Sequence, residues 1–277
     1  MRISKILLFG STGMLGNYMY SYFSNVPDME ILCVPFRIIQ KETTSLLEVL
    51  EKVLVQYGIN TRCCVMNCIG LIPQRKPRET PDTDYFLVNG IFPHVLWMVC
   101  KKYGAKMIQP STDCVFTGKK GGYTENDIHD ETSPYGMSKS VGEPNGATII
   151  RTSIIGRERY NKKSLLEWVL NSQDKIYGWK NHRWNGITCL EYCKLIETIL
   201  RKNSFWTGVR HVYSPTAVSK YELVMMIVKT FELQTEVVGR ETEDMDKTLG
   251  SLYPAEEFHV QELEMQLREL AKYEIII

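Results

Sequence analysis

Tyr135 and Lys139 stand four positions apart in Tyr135-Gly136-Met137-Ser138-Lys139, so on a helix their side chains share one face. A phenol in water has a pKa of about 10 and exchanges protons sluggishly near neutrality. A neighbouring ammonium favours the phenolate and is expected to draw that pKa down. Upstream, Lys106 to Gln109 reads as a strand that delivers Pro110-Ser111-Thr112-Asp113-Cys114 to its end. A hydroxyl such as Thr112 at that place suits holding a reacting oxygen. Tyr, Lys and Thr together fit proton transfer to a carbonyl while hydride arrives from elsewhere. The spacing by itself is common on solvated helix faces, so the rest of the chain has to supply the partner and the crevice.

The first residues supply the partner. Ile3 to Phe9 is apolar and β-prone, and it stops at Gly10-Ser11-Thr12-Gly13-Met14-Leu15-Gly16, after which Met14 to Phe23 reads as a helix. Strand, glycine-rich turn and helix in that order form the phosphate-binding unit of a Rossmann fold. Gly10 permits the tight turn, Gly13 lets backbone approach a pyrophosphate, and Gly16 lets the helix pack on the strand. The free N–H groups of the helix start then face the anion. Glu30 to Val34 reads as the second strand, followed by Pro35-Phe36-Arg37. An NAD site places an acid there for the ribose hydroxyls. Arg37 instead suits the extra phosphate of NADP, so NADPH is the expected cofactor.

The following segments build the crevice. Ser45 to Tyr57 has helical periodicity, and Cys63 to Cys68 is a continuous apolar run of the kind found in central parallel strands. That strand ends in Asn67-Cys68-Ile69-Gly70-Leu71-Ile72-Pro73-Gln74, on the side of the sheet where ligands bind. Cys68, Ile69 and Gly70 are expected against the cofactor, and Gln74 nearer the substrate. Tyr85 to Tyr103 reads as one long helix carrying Asn89, expected to support the site and to border the substrate, and His94, expected to be packed or satisfied. Hydroxyl, Tyr/Lys pair and glycine turn therefore converge on one edge of a doubly wound α/β sheet.

A chain of 277 residues, 44% hydrophobic and 23% charged with a net charge of +1, has the composition of a globular α/β protein. Near-neutral charge gives no reason to expect nucleic acid or a membrane as partner. The eight cysteines lack the paired spacing and His partners of a zinc site, so no metal is expected and they read as free thiols. No cleavable leader or spanning run is evident, and a cytoplasmic location is expected.

Three phrases carry a resemblance in combination: Gly-x-x-Gly-x-x-Gly at the first turn, Ser-Thr-Asp-x-Val-Phe-x-Gly from Ser111, and Tyr-Gly-x-Ser-Lys-x-x-Gly-Glu from Tyr135 to Glu143. The chain resembles the extended short-chain dehydrogenase/reductases over its whole length, within them the dTDP-4-dehydrorhamnose reductase-like branch. The loop from Asn67 to Gln74, the run Ser111 to Lys120, Arg151 to Gly156, Ser164 to Trp168 and Ser219 to Leu223 look like one subgroup. That subgroup reduces UDP-linked 2-acetamido-2,6-dideoxy-4-ketohexoses on routes to L-rhamnosamine, L-quinovosamine or L-fucosamine. The resemblance implies that Thr112, Tyr135 and Lys139 are the catalytic triad and that NADPH gives the hydride. It places Asp113 and Cys114 near the sugar and Lys247 at a diphosphate contact. Cys114 stands where rhamnose-type reductases often carry Tyr. It also stands where the related 4,6-dehydratases carry the acid of an Asp-Glu pair, which argues for simple reduction. Pro73 replaces a basic residue of the subgroup's loop. Other readings are a thymidine-linked rhamnose precursor as substrate, an epimerase with retained NAD, and a non-catalytic NADP-binding regulatory subunit of a methionine adenosyltransferase.

In this family the substrate elements interleave with the last Rossmann strands, here Thr148 to Arg151 and Val209 to Tyr213. Residues 1–156 and 184–217 are expected to form the NADP-binding domain, and 157–183 with 218–277 a smaller substrate lobe. Lys162, Lys163, Trp168, Trp179, Lys180, Arg183 and Trp184 put cations and aromatic faces in reach of a uracil and diphosphate. Of these, Trp168 and Lys180 are carried forward as substrate contacts. Pro144 should stop the catalytic helix early. Gln261 to Tyr273 reads as an amphipathic helix, a packed cap or the face of a homodimer.

Overall fold

The structure is a computed structural model that describes residues 2–38, 45–75, 81–160, 162–254 and 258–275. In the first half the elements are β1 (Lys5–Phe9), α1 (Met14–Phe23), β2 (Glu30–Val34), α2 (Leu46–Gln56), β3 (Cys63–Asn67), α3 (Thr83–Tyr85), α4 (Phe92–Lys102), β4 (Lys106–Thr112) and α5 (Pro134–Val141). There follow β5 (Thr148–Thr152), β6 (Ile154–Ile155), α6 (Leu165–Leu170), β7 (Lys175–Trp179), β8 (His182–Trp184), β9 (Ile187–Thr188) and α7 (Cys189–Lys202). The chain continues through β10 (Gly208–His211), β11 (Val218–Ser219), α8 (Lys220–Thr230), β12 (Glu236–Arg240), β13 (Met245–Asp246) and α9 (Leu263–Lys272).

Six strands form one parallel sheet in the order β10-β5-β4-β3-β1-β2. The chain leaves β1 towards β2 on one side and returns to β3 on the other, so the ends of β1 and β3 lie side by side, Phe9 opposite Asn67. Such a reversal opens a crevice beyond the carboxyl ends of the strands. Helices cover both faces, which is why β1 after Lys5 and β3 up to Met66 are continuously apolar rather than alternating. Ile6 and Leu8 face a core with Tyr18, Phe23 and Ile196, whereas Leu7 and Phe9 face Leu50, Leu54, Phe92 and Leu96. The first core runs on without a break into Trp184, Val218, Leu223 and Leu267 of the later elements. Those elements form three small sheets, β11-β8-β13, β12-β7 and β6-β9. Helix α9 buries Leu263, Leu267 and Leu270 against α7, α8 and β9, as a packed cap.

The expected single helix from Tyr85 to Tyr103 is broken into α3, a π-helical stretch over Phe86–Ile91, and α4. Pro93 near the start of α4 has no N–H to give the preceding turn, and a widened turn accommodates the missing bond. Helix α5 starts on Ser133, whose hydroxyl accepts the Gly136 amide at 3.2 Å, with Pro134 in the first turn. It ends at Val141, before Pro144, with Gly142 as its cap. A Cβ on Gly142 would lie 1.7 Å from the Asn89 carbonyl oxygen, so the two segments meet backbone to backbone there. Gly142→Ala should therefore lower stability by about 1–3 kcal/mol, as overpacking does. Urea unfolding monitored by circular dichroism reads this as a lower midpoint, and an unchanged midpoint would contradict so close an approach.

Candidate active site

The turn after β1 is shaped by contacts that admit no side chain. Gly10 has φ +75°, and a Cβ there would sit 2.6 Å from the Cys68 carbonyl carbon. A Cβ on Gly16 would sit 2.1 Å from the Gly10 oxygen. Gly13 is different. Its nearest protein neighbour to a Cβ is the Gly10 oxygen at 3.4 Å, so the protein itself does not require glycine at that position. Gly13 also begins α1, which has no side-chain cap and no acid in its first turn. The helix start is thus left to an outside anion.

One cleft of about 730 Å³ connects this turn to the chemistry expected from the sequence. Gly10, Thr12, Gly13, Met14 and Leu15 line it with Arg37, Cys68, Ile69 and Gly70. So do Thr112, Asp113, Cys114, Tyr135 and Lys139. Ser11 and Gly16 belong to the same turn without lining the cleft. No acid follows β2 in its described residues, and the exposed Arg37 stands at the rim beside Phe36.

Strand β4 runs further than its apolar stretch, to Thr112, so that Thr112 is its last residue. The Thr112 hydroxyl accepts the Cys114 amide at 3.1 Å and donates to the Asp113 carboxylate at 3.1 Å. Lys139 donates to the Pro110 carbonyl at 3.0 Å, and Gln109, itself bonded to Asn67, donates to the same oxygen at 3.0 Å. Burial pulls the Lys139 ammonium down to about 8, against the opposing effects of Glu143, Cys114 and Cys68. The Tyr135 ring meets Tyr85 edge-on at 6.1 Å.

The expectation that Lys139 makes Tyr135 acidic is not met. Burial pushes the phenol well above its ordinary value, Cys114 and Asp113 push it further, and the Thr112 hydroxyl alone pulls it down. The cause is local: the Lys139 ammonium is engaged by Pro110, while the buried Asp113 carboxylate raises the phenol. Tyr135 is a neutral phenol at neutral pH. The Cys114 thiol, bonded to Asp113 at 3.5 Å, is likewise pushed up to about 12, by burial first and Asp113 next.

Several expected substrate contacts lie elsewhere. Asn89 is buried and does not line the cleft: it exchanges bonds of 2.8 and 2.9 Å with the Leu71 backbone and donates to Ser138 at 3.1 Å. It ties the loop after β3 to α5, and both of its N–H donors are used in doing so. Gln74 is exposed in the short turn Pro73–Arg75, and Ile72 lines the cleft instead. Trp168 is exposed on α6, and Lys180 lies over the Tyr221 ring at 5.8 Å; neither lines the cleft. Lys247 is in electrostatic reach of Cys114 and pairs with Glu131 at 3.8 Å. His94 is satisfied, bonding the Val141 carbonyl at 2.7 Å.

Two residues that the sequence reading passed over belong to the site's surroundings. Lys220 opens α8 with its ammonium 4.7 Å above the buried Trp184 ring, and Asp113 and Cys114 are the charged or ionisable groups that favour its charge against burial. Glu143, past the end of α5, bonds the Ser111 hydroxyl of β4 and the buried Arg151. The Lys220 signal was available, a lysine at a helix start next to a capping serine, but only the tertiary fold brings that start to the β4 end. Among the described residues no helix is long and apolar enough to cross a membrane, and all eight cysteines are free.

Comparison with known proteins agrees with this architecture. The chain is 29% identical over 168 residues to the spore coat polysaccharide biosynthesis protein SpsK of Bacillus subtilis, and 28% identical over 175 residues to a dTDP-4-keto-6-deoxy-D-glucose reductase of Streptomyces niveus. These alignments cover 57% and 58% of this chain, and 58% of each of the two relatives. A dTDP-4-dehydrorhamnose reductase of Bacillus anthracis, solved in complex with NADP, has the same fold: TM-score 0.76 at 16% identity, over 98% of this chain and 99% of that one. With residues 4–250 matching the RmlD substrate binding domain, the chain belongs to that family.

Proposed function

We propose that this protein is an NADPH-dependent 4-keto reductase of a nucleotide-linked 6-deoxy sugar. The observation that carries the reading is the single cleft in which Thr112, Tyr135 and Lys139 stand opposite a glycine turn built to receive an anion. The residues present fit a dinucleotide. Gly10 to Leu15 would hold its pyrophosphate, Cys68, Ile69 and Gly70 its middle, Arg37 a 2′-phosphate and Lys139 the nicotinamide ribose. NADPH, when bound, supplies the hydride for the ketone carbon. The named relatives, one a dTDP-linked reductase and one a neighbour solved with NADP, support the same assignment.

The chain's own part is positioning and proton delivery. The Tyr135 hydroxyl donates to the C4 ketone oxygen, and the Thr112 hydroxyl joins it by turning its proton from Asp113 to that oxygen. As C4 gains hydride its oxygen becomes an alkoxide, and Tyr135 passes its proton to that oxygen. A phenol held well above its ordinary pKa starts with that proton in place. Asp113 and Cys114 border the sugar, and Lys247 faces the diphosphate. The division into a cofactor part, 1–156 and 184–217, and a substrate lobe, 157–183 and 218–277, belongs to the same reading.

For the substrate we infer a UDP-2-acetamido-2,6-dideoxy-L-hexos-4-ulose, reduced to UDP-L-rhamnosamine or its C4 epimer, because Cys114 replaces the Tyr usual in rhamnose-type enzymes. The second reading, dTDP-4-dehydrorhamnose, is favoured by the substrate names of the relatives. Incubation of each sugar with NADPH, with the product identified by NMR, decides between them; no NADPH oxidation with either would overturn the reductase assignment. Tyr135→Phe should lower turnover about a hundred- to ten-thousand-fold, the range of general acid catalysis, while NADPH affinity measured by fluorescence titration stays near that of the wild type. Near-normal turnover would remove Tyr135 from its role. Arg37→Ala should raise the Kd for NADPH about 10- to 100-fold, the worth of a charge-assisted bond, and leave NADH nearly unaffected. Equal losses for both would overturn the NADP preference.

A further inference from the structure

The cations gathered at the small sheet β11-β8-β13 are unequally supplied with partners. Pairing sets Ser219 of β11 on one side of Arg183 in β8 and Asp246 of β13 on the other. One residue further, Lys247 gives its amide to the Arg183 carbonyl at 3.2 Å and so stands level with Trp184. The Arg183 side chain pairs with Asp246 at 3.9 Å, and that of Lys247 with Glu131 at 3.8 Å. Lys220, next after Ser219, is half-buried, with its ammonium 4.7 Å from the centre of the Trp184 ring. Among the described residues that ammonium makes no hydrogen bond and no ion pair. It also sits at the first position of α8, where the helix dipole disfavours a cation. The acid of that turn, Glu222, is taken up by the capping box, accepting the Ser219 amide at 2.6 Å. The ring beneath Lys220 is set by packing: Trp184 is 2% exposed, its indole N–H has no partner, and a Cβ on Gly186 would lie 2.3 Å from its Cζ2.

This corner adjoins the cleft. Glu131, the partner of Lys247, lies with the Cys114 carbonyl against Gly136, where a Cβ would meet them at 2.2 and 2.7 Å. Cys114 and Tyr135, on either side of that contact, both line the cleft. The Lys220 ammonium is within electrostatic reach of Asp113, Cys114 and Lys247.

We propose that Lys220, together with Lys247, binds the diphosphate of the substrate. The inference deepens the nucleotide-sugar reading and rests on it. A sugar diphosphate ester brings two negative charges to the protein. Lys247 already shares its charge with Glu131, whereas Lys220 offers a charge and three donors without an acceptor. A phosphoryl oxygen there would accept a charge-assisted bond and put negative charge at the start of α8, which the dipole favours. The aromatic face of Trp184 holds the ammonium in place until the anion arrives.

The test measures binding of UDP and of dTDP to the intact protein by titration calorimetry, with uridine and thymidine as phosphate-free controls. Saturating NADPH keeps the probes out of the dinucleotide part of the cleft. Lys220→Met keeps an apolar side chain on Trp184 and removes the charge. It should raise the Kd for the nucleoside diphosphate about 10- to 100-fold, the worth of a hydrogen bond to a charged group. The Kd for NADPH, whose pyrophosphate belongs at the Gly10 to Gly16 turn, should stay in place. If the variant does not fold, the wild type gives the second measurement. Saturating UDP or dTDP should abolish acetic anhydride labelling of Lys220, read by mass spectrometry of its peptide, and the nucleosides should not. An unchanged Kd in Lys220→Met, or undiminished labelling under saturating nucleotide, would overturn the proposal. Nucleotide binding needs no ketone, so absence of NADPH oxidation would count against the reductase reading alone. A wild type that binds neither nucleotide would overturn both.

Discussion

Helix α5 is held to the sheet by directed polar bonds rather than by apolar burial, and the geometry of the cleft depends on that. Of its eight residues Gly136 and Ser138 are buried and Tyr135 and Lys139 partly so, whereas Met137 and Val141 face outward. What fixes it is a series of bonds at its inner face: Asn89 to Ser138, Lys139 to Pro110, and His94 to the Val141 carbonyl. Past its end, Glu143 reaches Ser111 and Arg151. Each such bond is worth about 0.5–1.5 kcal/mol net, so the set is not a large source of stability. Its value is direction. Greasy contacts tolerate sliding, whereas a misplacement of about 1 Å between reacting groups costs about a hundredfold in rate.

The same burial that makes these bonds strong also sets the protonation of the cleft. Tyr135 and Lys139 are both pushed towards their neutral forms, the phenol upward and the ammonium downward. The consequence for the proposed reaction is a direction. A neutral phenol is ready to give a proton, which reduction requires, while a preformed phenolate would suit abstraction of one. Asp113 strengthens this bias, because its buried carboxylate raises the phenol and the neighbouring Cys114 thiol together. The acidity needed in the transition state is then not stored in the resting phenol. It appears as the alkoxide develops and draws the proton across.

The parts of the fold that depend on nearby sequence were legible. An apolar strand, a glycine turn and a helix at the start of the chain gave β1, the turn and α1 within a few residues, because the Gly10 and Gly16 contacts are local. Tyr135 and Lys139 were legible because helical spacing alone puts them together. Thr112 followed from the strand before it, although the strand runs three residues past its apolar stretch. Asn89 was read as a supporting residue, and its bonds to the Leu71 backbone and to Ser138, which join the loop after β3 to α5, depend on segments far apart in the chain. The break at Phe86–Ile91 was missed because periodicity does not register one widened turn.

What stayed illegible lies where distant segments meet. Trp168, Lys180 and Trp184 looked alike in sequence, cations and aromatics in one stretch, yet Trp184 is in the core while Trp168 and Lys180 are exposed. The difference comes from pairing: β8 lies between β11 and β13, which turns Trp184 inward, whereas α6 presents Trp168 outward. That inward turn has an electrostatic result. Trp184 gives the Lys220 ammonium an aromatic face to rest on at 4.7 Å, within reach of Asp113 and Cys114. A cation so placed is supported by packing from a continuous core rather than by a flexible surface loop, so its position relative to the β4 end is fixed by the same side chains that hold the sheet. The charge pattern of the cleft is therefore a product of the core, and no local stretch of sequence contains it.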